Sequence, residues 1–401
     1  MNITFLCDKL NIDRGGSNYS LNLIARRLSM RGHEVSVVTL NFIHENSLPN
    51  DPPYTVIVDP VSRTSAPGKA VEIYRKFSNY DEQSDILHVF NPALLPIAGR
   101  YRDHEGVTPI VGRLNTYDSF CTNLNRMDSA CYQNCSVAKK FAHDDQSTTE
   151  KLSSIPRYVF DTHSLPTLAN GVDRFFALSP TVADVYSEIG FDESRIDVVP
   201  NCIDPEFGES GTEDSPFPTD KHTILYVGRL DEQKGVDLLI DALNHLTDPS
   251  EYHLNIVGDG PRQEQLQCQV TRDGWGQQVL FHGWVEHNHL PDYYTNADLF
   301  VHPGRWPEPF GRTIIEAMQC ATPVVVSNVG GPPWIIDTPQ QVFKRNDAVD
   351  LARTVEDVID EPTSQITDQY QQRLRRFTPE AVISDIETKY VELLEAESGV
   401  S

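Results

Sequence analysis

The chain has 401 residues, of which 39% are hydrophobic and 23% are charged, and this content suffices for two domains with hydrophobic cores. Its formal net charge of -25 argues against a nucleic-acid-binding protein and against electrostatic docking on anionic lipid. Lysine is scarce among the basic residues. Such an acidic surface indicates either adaptation to a cytoplasm of high salt or an ordinary acidic protein.

The start of the chain and the cysteine content favour a cytoplasmic protein. The segment MNITFLCDK has no basic residues ahead of its short apolar run, unlike a signal peptide. No stretch approaches the length of a transmembrane span. Seven cysteines form an odd number, which does not fit a full disulfide framework. We expect a cytoplasmic location, with peripheral contact at the inner face of a membrane left open.

The first half of the chain alternates between predicted strands and helices. A short apolar strand at 3–7 precedes a glycine turn and an amphipathic helix at 20–30, whose apolar residues recur at helical spacing. A helix is also predicted at 181–189. The remaining strands of this half are predicted at 35–40, 85–90, 109–111, 174–178 and 197–199.

A polar segment at 204–222, rich in Pro, Gly, Ser and acids, is predicted to be an interdomain linker. Beyond it, strands are predicted at 223–227, 253–257, 279–281, 299–302 and 323–327, and helices at 236–246, 262–272, 290–294, 313–319 and 379–397. Alternating strands and helices predict an α/β protein with parallel sheets covered by helices on both faces.

Two cationic residues follow the first strand of the second half, in the segment GRLDEQKG at 228–235. Arg229 comes directly after an apolar strand, and Lys234 opens the next helix. Ligands of parallel α/β sheets bind beyond the carboxyl ends of the strands. An arginine fork and a lysine charge at such a place suit a diphosphate. Taken by themselves, the two residues are equally compatible with a solvated turn.

Two acidic residues enclose the segment EPFGRTIIE at 308–316. Glu308 lies in a Pro/Gly turn, and Glu316 lies two helical turns later. Carboxylates bind sugar hydroxyls, so this pair predicts a site for a nucleotide-sugar. Taken by itself, the spacing is more often structural, with Glu316 capping the helix or pairing with a neighbour.

The order of these motifs resembles the nucleotide-sugar-binding domain of glycosyltransferase family 4, the retaining enzymes of the GT-B fold. GRLDEQKG is followed by GDGP, FHGWV, ADLFVHPG, EPFGRTIIE and PVVVSNVGG. The first half is similar to the same family in RGHEVSVVT, DILHVFNP and PNCID. The resemblance implies two Rossmann-like domains that face a cleft, with a C-terminal helix crossing back to the first domain.

The resemblance also implies roles for individual residues. Arg229 and Lys234 match the cations that hold the donor diphosphate, and Glu308 matches the acid that contacts the donor sugar. Glu316 matches the acid that binds the ribose. Further donor-binding positions, at the closing loop, the base and the phosphate-facing amides, are Gly15, Gly16, Gly228, Gly258, Trp284, Val285, Phe310, Gly311, Arg312 and Thr313.

The chain departs from the family pattern at Asn115, where family members often have a histidine near the reaction centre. An asparagine forms hydrogen bonds but cannot act as an acid or a base. His88, Tyr117 and Asp118 are candidate substitutes or acceptor contacts.

Three cysteines, Cys121, Cys131 and Cys135, cluster near His143. Zinc binding, a structural disulfide and buried thiols are all compatible with this cluster. We expect no metal in the active site.

The predicted domains are an acceptor-binding domain at 1–203, the linker at 204–222, a donor-binding domain at 223–377 and a final helix at 378–401. The predicted function is sugar transfer from a nucleotide-diphosphate donor to a sugar or lipid-linked acceptor, in surface-glycan or lipid-linked-glycan assembly, with no cofactor. The alternatives are an epimerase or phosphorylase of the same fold and an inactive partner protein that binds a sugar-nucleotide.

Overall fold

A computed structural model describes residues 1–10, 16–41, 51–121, 123–124, 127, 129–208, 215–217 and 221–398. The chain divides into two units. The first unit consists of Met1–Cys202 and Pro379–Ser401, and the second consists of Ile203–Thr378.

The first unit is built on a parallel sheet of short, mostly apolar strands. The strands are β1 (Asn2–Cys7), β2 (Glu34–Thr39), β3 (Thr55–Val58), β4 (Ile86–Val89), β5 (Ile110–Leu114), β6 (Arg174–Ala177) and β7 (Ile196–Val198). Within the described residues they follow the order β3-β2-β1-β4-β5-β6-β7, with all neighbours parallel. The strand order reverses beside β1, and this switch point is where such sheets bind ligands.

Helices cover the faces of this sheet. They are α1 (Gly16–Met30), α2 (Ala66–Asp81), α3 (Leu95–His104), α4 (Ser129–Tyr132), α5 (Val137–His143), α6 (Thr148–Ser153), α7 (Ile155–Val159), α8 (Leu165–Ala169) and α9 (Pro180–Glu188). α1 buries Leu21, Ile24 and Leu28, which recur at helical spacing, against the core around Phe5.

The second unit repeats this plan with a six-stranded parallel sheet. Its strands are β8 (His222–Val227), β9 (Tyr252–Val257), β10 (Val279–Gly283), β11 (Leu299–His302), β12 (Val324–Ser327) and β13 (Val342–Phe343). Their order within the described residues is β10-β9-β8-β11-β12-β13. Its helices are α10 (Val236–Ala242), α11 (Gln263–Asp273), α12 (Leu290–Thr295), α13 (Arg312–Gln319), α14 (Pro332–Ile336), α15 (Ala348–Ile359) and α16 (Thr363–Leu374). The predicted α/β class with two parallel sheets is confirmed.

The last helix, α17 (Pro379–Ser398), returns to the first unit. Its apolar stripe, formed by Val382, Ile383, Ile386 and Tyr390, joins the core of that unit. Polar contacts at the edge add to this packing, since Arg31 and His33 both bind Glu387, at 2.5 and 2.8 Å. The predicted return of the C-terminal helix is thereby confirmed.

Part of the predicted linker packs on the second unit. Phe207 lies 4.8 Å from the ring of His287, and Phe217 lies 6.0 Å from the ring of His282. Residues 209–214 and 218–220 lie outside the described residues.

Among the described helices, none has both the length and the apolar character that crossing a bilayer requires.

Candidate active site

The turn after β8 brings Lys234 against the loop that follows β11. Gly235 has a φ of +70°, and a Cβ at this position would lie 2.2 Å from the Pro303 carbonyl oxygen. Only glycine therefore permits this approach of the two backbones. As a result, the ammonium group of Lys234 reaches the carboxylate of Glu308 at 2.5 Å.

Glu308 is held through a single carboxylate oxygen. Its Oε2 accepts hydrogen bonds from Lys234 Nζ at 2.5 Å and from Trp306 Nε1 at 2.8 Å. Its Oε1 has no hydrogen-bond partner within the described part of the chain. The side chain is 15% exposed. Glu308 thus presents an oxygen that can accept a hydrogen bond from a ligand hydroxyl.

The charges around Glu308 keep it ionised. Burial raises the pKa of this carboxyl, but the charges of Lys234 and His302 and the hydrogen bonds from Lys234 and Trp306 together hold the pKa below its ordinary value. His302 Nε2 lies 3.9 Å from Glu308 Oε2. Burial, followed by the charge of Lys234, lowers the pKa of His302 to about 4, so its imidazole is neutral at pH 7.

The glycine turn after β12 fixes the backbone of Glu308. The backbone N–H of Gly331 donates to the Glu308 carbonyl at 2.7 Å. Gly330 has a φ of +73°, and a Cβ there would lie 2.4 Å from the same oxygen. Turns after β8, β11 and β12 therefore meet at Glu308.

Arg229, the second predicted cation, follows β8 directly. Its side chain is 70% exposed and forms an ion pair with Asp231 at 3.5 Å. The turns after neighbouring strands are linked by hydrogen bonds, from Gly228 N–H to the Val257 carbonyl at 3.0 Å and from Gly258 N–H to the Gly283 carbonyl at 2.7 Å. Arg229 therefore lies beyond the carboxyl edge of the second sheet, with its guanidinium in solvent.

The loop residues directly before α13 are buried, whereas the first two residues of the helix are half-buried. Phe310 is 2% exposed, and its ring packs 5.6 Å from that of Phe377. Gly311 precedes the first helical residue, Arg312, and Thr313 follows it. Amide groups in the first turn of a helix have no intrahelical acceptor and favour anionic ligands.

Glu316 is engaged by protein groups on both oxygens. Its Oε1 lies 3.0 Å from His287 Nε2 and 3.1 Å from Arg312 Nε, and its Oε2 accepts from Tyr294 at 3.4 Å. Burial raises the pKa of this carboxyl, but the hydrogen bond from His287 and the charge of Arg312 keep it below its ordinary value. The residue is 2% exposed. A ribose contact at Glu316 therefore has to use the remaining acceptor capacity of Oε2 or displace one of these partners.

The residues expected at the nucleotide base remain accessible. Trp284 is 50% exposed and Val285 is half-buried, both directly after β10. An exposed indole can stack on a base.

The first unit has a polar cavity of about 440 Å³ near the carboxyl ends of β1, β4 and β5. Its polar lining includes Asp8, Lys9, Ser17, Asn18, Asn91, Asn115, Thr116 and Asp118. Gly16 begins α1, whereas Gly15 lies outside the described residues.

The amide of Asn115 has a defined orientation in this cavity. Its Nδ2 donates to the Phe90 carbonyl and to Ser17 Oγ, both at 2.9 Å. A carbonyl oxygen only accepts hydrogen bonds, so the nitrogen must face Phe90. Both amide hydrogens are thereby used, and Oδ1 is without a hydrogen bond among the described residues. Asn115 therefore offers an acceptor to a ligand.

Two candidates for the reaction centre need correction. His88 is 0% exposed in β4, where Nδ1 lies 2.6 Å from the Tyr390 hydroxyl. Burial, together with the charge of Arg113, keeps the pKa of His88 well below its usual range. Tyr117 is also 0% exposed and packs on Phe120 and Tyr186. Neither side chain can touch a substrate, because both belong to the core.

The three cysteines line one small cavity together with His143. All three are free thiols, and Cys131 Sγ lies 3.6 Å from His143 Nδ1. Burial is the main cause that raises the pKa of Cys121 to about 11, so this thiol is protonated. Across the described residues, no group of three or more His, Cys, Asp or Glu side chains is arranged to hold a metal ion.

Sequence reasoning missed Trp306 and His302, which contact the Glu308 carboxylate. The available signal was their proximity in the chain, since HPGRWPEPF places both within six residues of Glu308.

Two α/β units are each built on a parallel sheet, and the second carries an ion pair, an exposed arginine and glycine turns at its strand ends. Family models identify the class of protein. The model of Glycosyltransferase Family 4 matches residues 14–207, and the model of Glycosyl transferases group 1 matches residues 210–378. The chain belongs to glycosyltransferase family 4.

Similar curated proteins match parts of the chain. A 2-deoxystreptamine glucosyltransferase of Streptomyces kanamyceticus is 28% identical over 193 residues, 45% of this chain and 50% of that protein. A mannosylfructose-phosphate synthase of Agrobacterium fabrum is 36% identical over 155 residues, 35% of this chain and 32% of that protein. The matched region spans about half the length of these curated relatives, or less.

Solved structures show the same fold along nearly the whole chain. HepE of Anabaena, crystallised with UDP-glucose, is 19% identical with a TM-score of 0.73, covering 98% of this chain and 100% of that one. The sucrose-phosphate synthase of Thermosynechococcus elongatus is 20% identical with a TM-score of 0.75, covering 98% and 99%. At these identities the likeness establishes the GT-B fold.

Proposed function

We propose that the protein is a retaining glycosyltransferase that moves a sugar from a nucleoside-diphosphate donor to the hydroxyl of a sugar or lipid-linked acceptor. The observation that carries this proposal is the contact of Lys234 with Glu308 at 2.5 Å, which leaves Glu308 Oε1 available to a sugar hydroxyl. A cytoplasmic setting, with glycan assembly at the inner face of a membrane, belongs to the same proposal.

Sugar transfer in this site breaks the bond between the anomeric carbon and a phosphate oxygen. Negative charge then accumulates on the leaving diphosphate, where the ammonium of Lys234 and the guanidinium of Arg229 stabilise it. The exposed Arg229 side chain can turn from Asp231 to the phosphates. These two cations supply the charge stabilisation that a metal ion provides in other transferases.

The acceptor hydroxyl attacks the anomeric carbon from the face that the diphosphate leaves, which retains the anomeric configuration. Its proton passes to a phosphate oxygen of the leaving group, so no protein base is required. The cavity of the first unit supplies acceptor contacts, and Asn115 Oδ1 accepts a hydrogen bond from a sugar hydroxyl. Neither the buried His88 nor Tyr117 takes part.

A thermal-shift screen against UDP, GDP and their common sugar derivatives tests the donor assignment. A ligand at a hundred times its Kd adds about 2.7 kcal/mol to the free energy of unfolding, so one nucleotide-sugar should raise Tm clearly. The stabilising donor is then assayed for transfer to sugar acceptors, with and without EDTA. Absence of any stabilising nucleotide-sugar at millimolar concentration would show the donor assignment to be wrong.

The transfer product separates the mechanistic parts of the proposal. Proton NMR of the product should show the anomeric configuration of the donor, and an inverted product would exclude a retaining reaction. The transfer rate should be unchanged by EDTA, and complete loss that added Mg²⁺ restores would show that a metal is required.

A further inference from the structure

Trp306 occupies the loop between β11 and α13, two residues before Glu308. It is 9% exposed, so most of its ring is enclosed by protein. None of the roles proposed above uses this side chain.

The indole contacts both members of the central ion pair. Its Nε1–H donates to Glu308 Oε2 at 2.8 Å. Its ring faces the Lys234 ammonium, with Nζ 5.5 Å from the ring centroid, a distance at which cation–π attraction operates. A single side chain therefore contacts both the ammonium and the carboxylate.

The backbone around Trp306 is anchored from the turn that carries Lys234. Arg305 N–H donates to the Gln233 carbonyl at 2.7 Å, and its guanidinium binds Asp237 through two nitrogens at 2.5 and 2.9 Å. On the other side, Glu308 N–H donates to the Trp306 carbonyl at 2.8 Å. The position of the indole thus follows from the fold on both sides.

The N–H of Trp306 makes the two oxygens of Glu308 unequal. With Lys234 as the only donor, the carboxylate plane can rotate about the bond to the neighbouring methylene group, because one hydrogen bond fixes one oxygen and leaves the other free to move. Two donors on Oε2 fix the plane of the group and leave Oε1 on the opposite side. A fixed acceptor loses less conformational freedom when a sugar hydroxyl binds to it.

We propose that Trp306 is a positioning residue that orients Glu308 toward the donor sugar, so that its N–H raises affinity for the nucleotide-sugar but not for the nucleotide alone. This inference rests on the proposed function. The proposed effect of the N–H is limited to the sugar end of the donor. The aromatic face toward Lys234 is a separate contact, which a phenylalanine at position 306 would keep.

The test compares UDP with UDP-glucose and GDP with GDP-mannose by isothermal titration, using the pair that the unmodified protein binds. Trp306→Phe keeps the aromatic face and removes the N–H. It should weaken the nucleotide-sugar by about tenfold, the size expected for one hydrogen bond to a charged group, while the Kd of the bare nucleotide stays the same. Trp275→Phe, the same substitution just beyond α11, should change neither Kd.

Trp306→His restores an N–H donor on an aromatic ring and should recover part of the lost preference for the nucleotide-sugar. Because the readout is a ratio of two Kd values on folded protein, lowered stability alone does not move it. Equal losses for nucleotide and nucleotide-sugar, or no change in Trp306→Phe, would overturn the inference and leave the proposed function intact. If the unmodified protein bound neither pair and no other nucleotide-sugar of the thermal-shift screen, the proposed function would fail and this inference with it.

Discussion

Glu308 meets an ammonium group and an indole N–H on the same oxygen, and this geometry gives Lys234 two roles. The ammonium helps to keep the buried carboxyl ionised, and in the proposed reaction it also stabilises the leaving diphosphate. If the proposal holds, loss of Lys234 removes a partner of the leaving group and leaves the Glu308 charge with less compensation.

Replacement of Lys234 tests its role in the reaction. Lys234→Ala should lower kcat by about a hundredfold, the size seen when one stabilising group of a transition-state charge is removed. Initial rates at saturating donor provide the measurement. Lys221→Ala, at a half-buried lysine that binds the Ser250 carbonyl in the same unit, should have nearly unchanged kcat. A similar kcat for both variants would contradict the assigned role.

Residue type alone did not separate the candidates around the reaction centre. His88, Tyr117 and Asn115 all belong to segments near the carboxyl half of predicted strands, and histidine and tyrosine have the more versatile proton chemistry. The structure buries the first two and leaves the asparagine oxygen in the cavity. β4 is buried on both faces, so His88 lies in the core whichever way its side chain points, whereas Asn115 lies just past the end of β5, where the cavity opens.

Among the elements, α17 belongs to the first unit although it follows the whole second unit in the chain. Tyr390 packs parallel to Phe176, with ring centroids 6.2 Å apart, and its hydroxyl lies 2.6 Å from Nδ1 of the buried His88. This hydrogen bond connects the helix to β4 across 302 residues of sequence. It satisfies a polar atom that would otherwise be costly to bury.

Removal of the Tyr390 hydroxyl should destabilise the first unit. Tyr390→Phe is expected to lower the free energy of unfolding by about 1–3 kcal/mol, because it leaves His88 Nδ1 buried without its partner. Urea unfolding followed by circular dichroism measures the change.

The matched control is a double-mutant cycle with His88→Leu. In protein that already carries His88→Leu, Tyr390→Phe should lower the free energy of unfolding by less than it does in the unmodified protein. Additive losses would show that the two side chains do not stabilise each other.

Several elements gave no clear signal in the sequence. β3 and β13 are short, with four and two residues, and α2 and α15 were not predicted although they bury one face. Short strands carry too few alternating positions to stand out, and they form because a neighbouring strand already offers its edge. Strands at the sheet centre, such as β1, β8 and β11, were predicted because burial on both faces makes them continuously apolar.

At the scale of the whole molecule, the net charge of -25 opposes compaction through repulsion among surface carboxylates. Salt screens this repulsion, with a Debye length that falls from about 30 Å at 0.01 M to about 3 Å at 1 M. We expect Tm to rise by several degrees over this range in KCl, measured by differential scanning fluorimetry.

The shape of the salt response identifies its cause. Screening saturates, so most of the rise in Tm should occur below roughly 0.5 M KCl, where the Debye length changes most. A sucrose series serves as the uncharged control, since excluded solutes raise stability gradually with concentration. A Tm that falls with added KCl, or that rises only linearly up to 1 M, would contradict repulsion as the cause.

The amino-acid sequence by itself determined the α/β class, the central strands and the family. These features follow from periodicity and from motifs of neighbouring residues, which a linear sequence contains in full. The return of the last helix was implied by the family resemblance. The tertiary structure alone decided that Trp306 and Lys234 share one oxygen of Glu308, that Glu316 is already bound by His287 and Arg312, and that His88 belongs to the core. Such facts depend on how turns from distant strands meet and on where each side chain points, and no spacing along the chain specifies either.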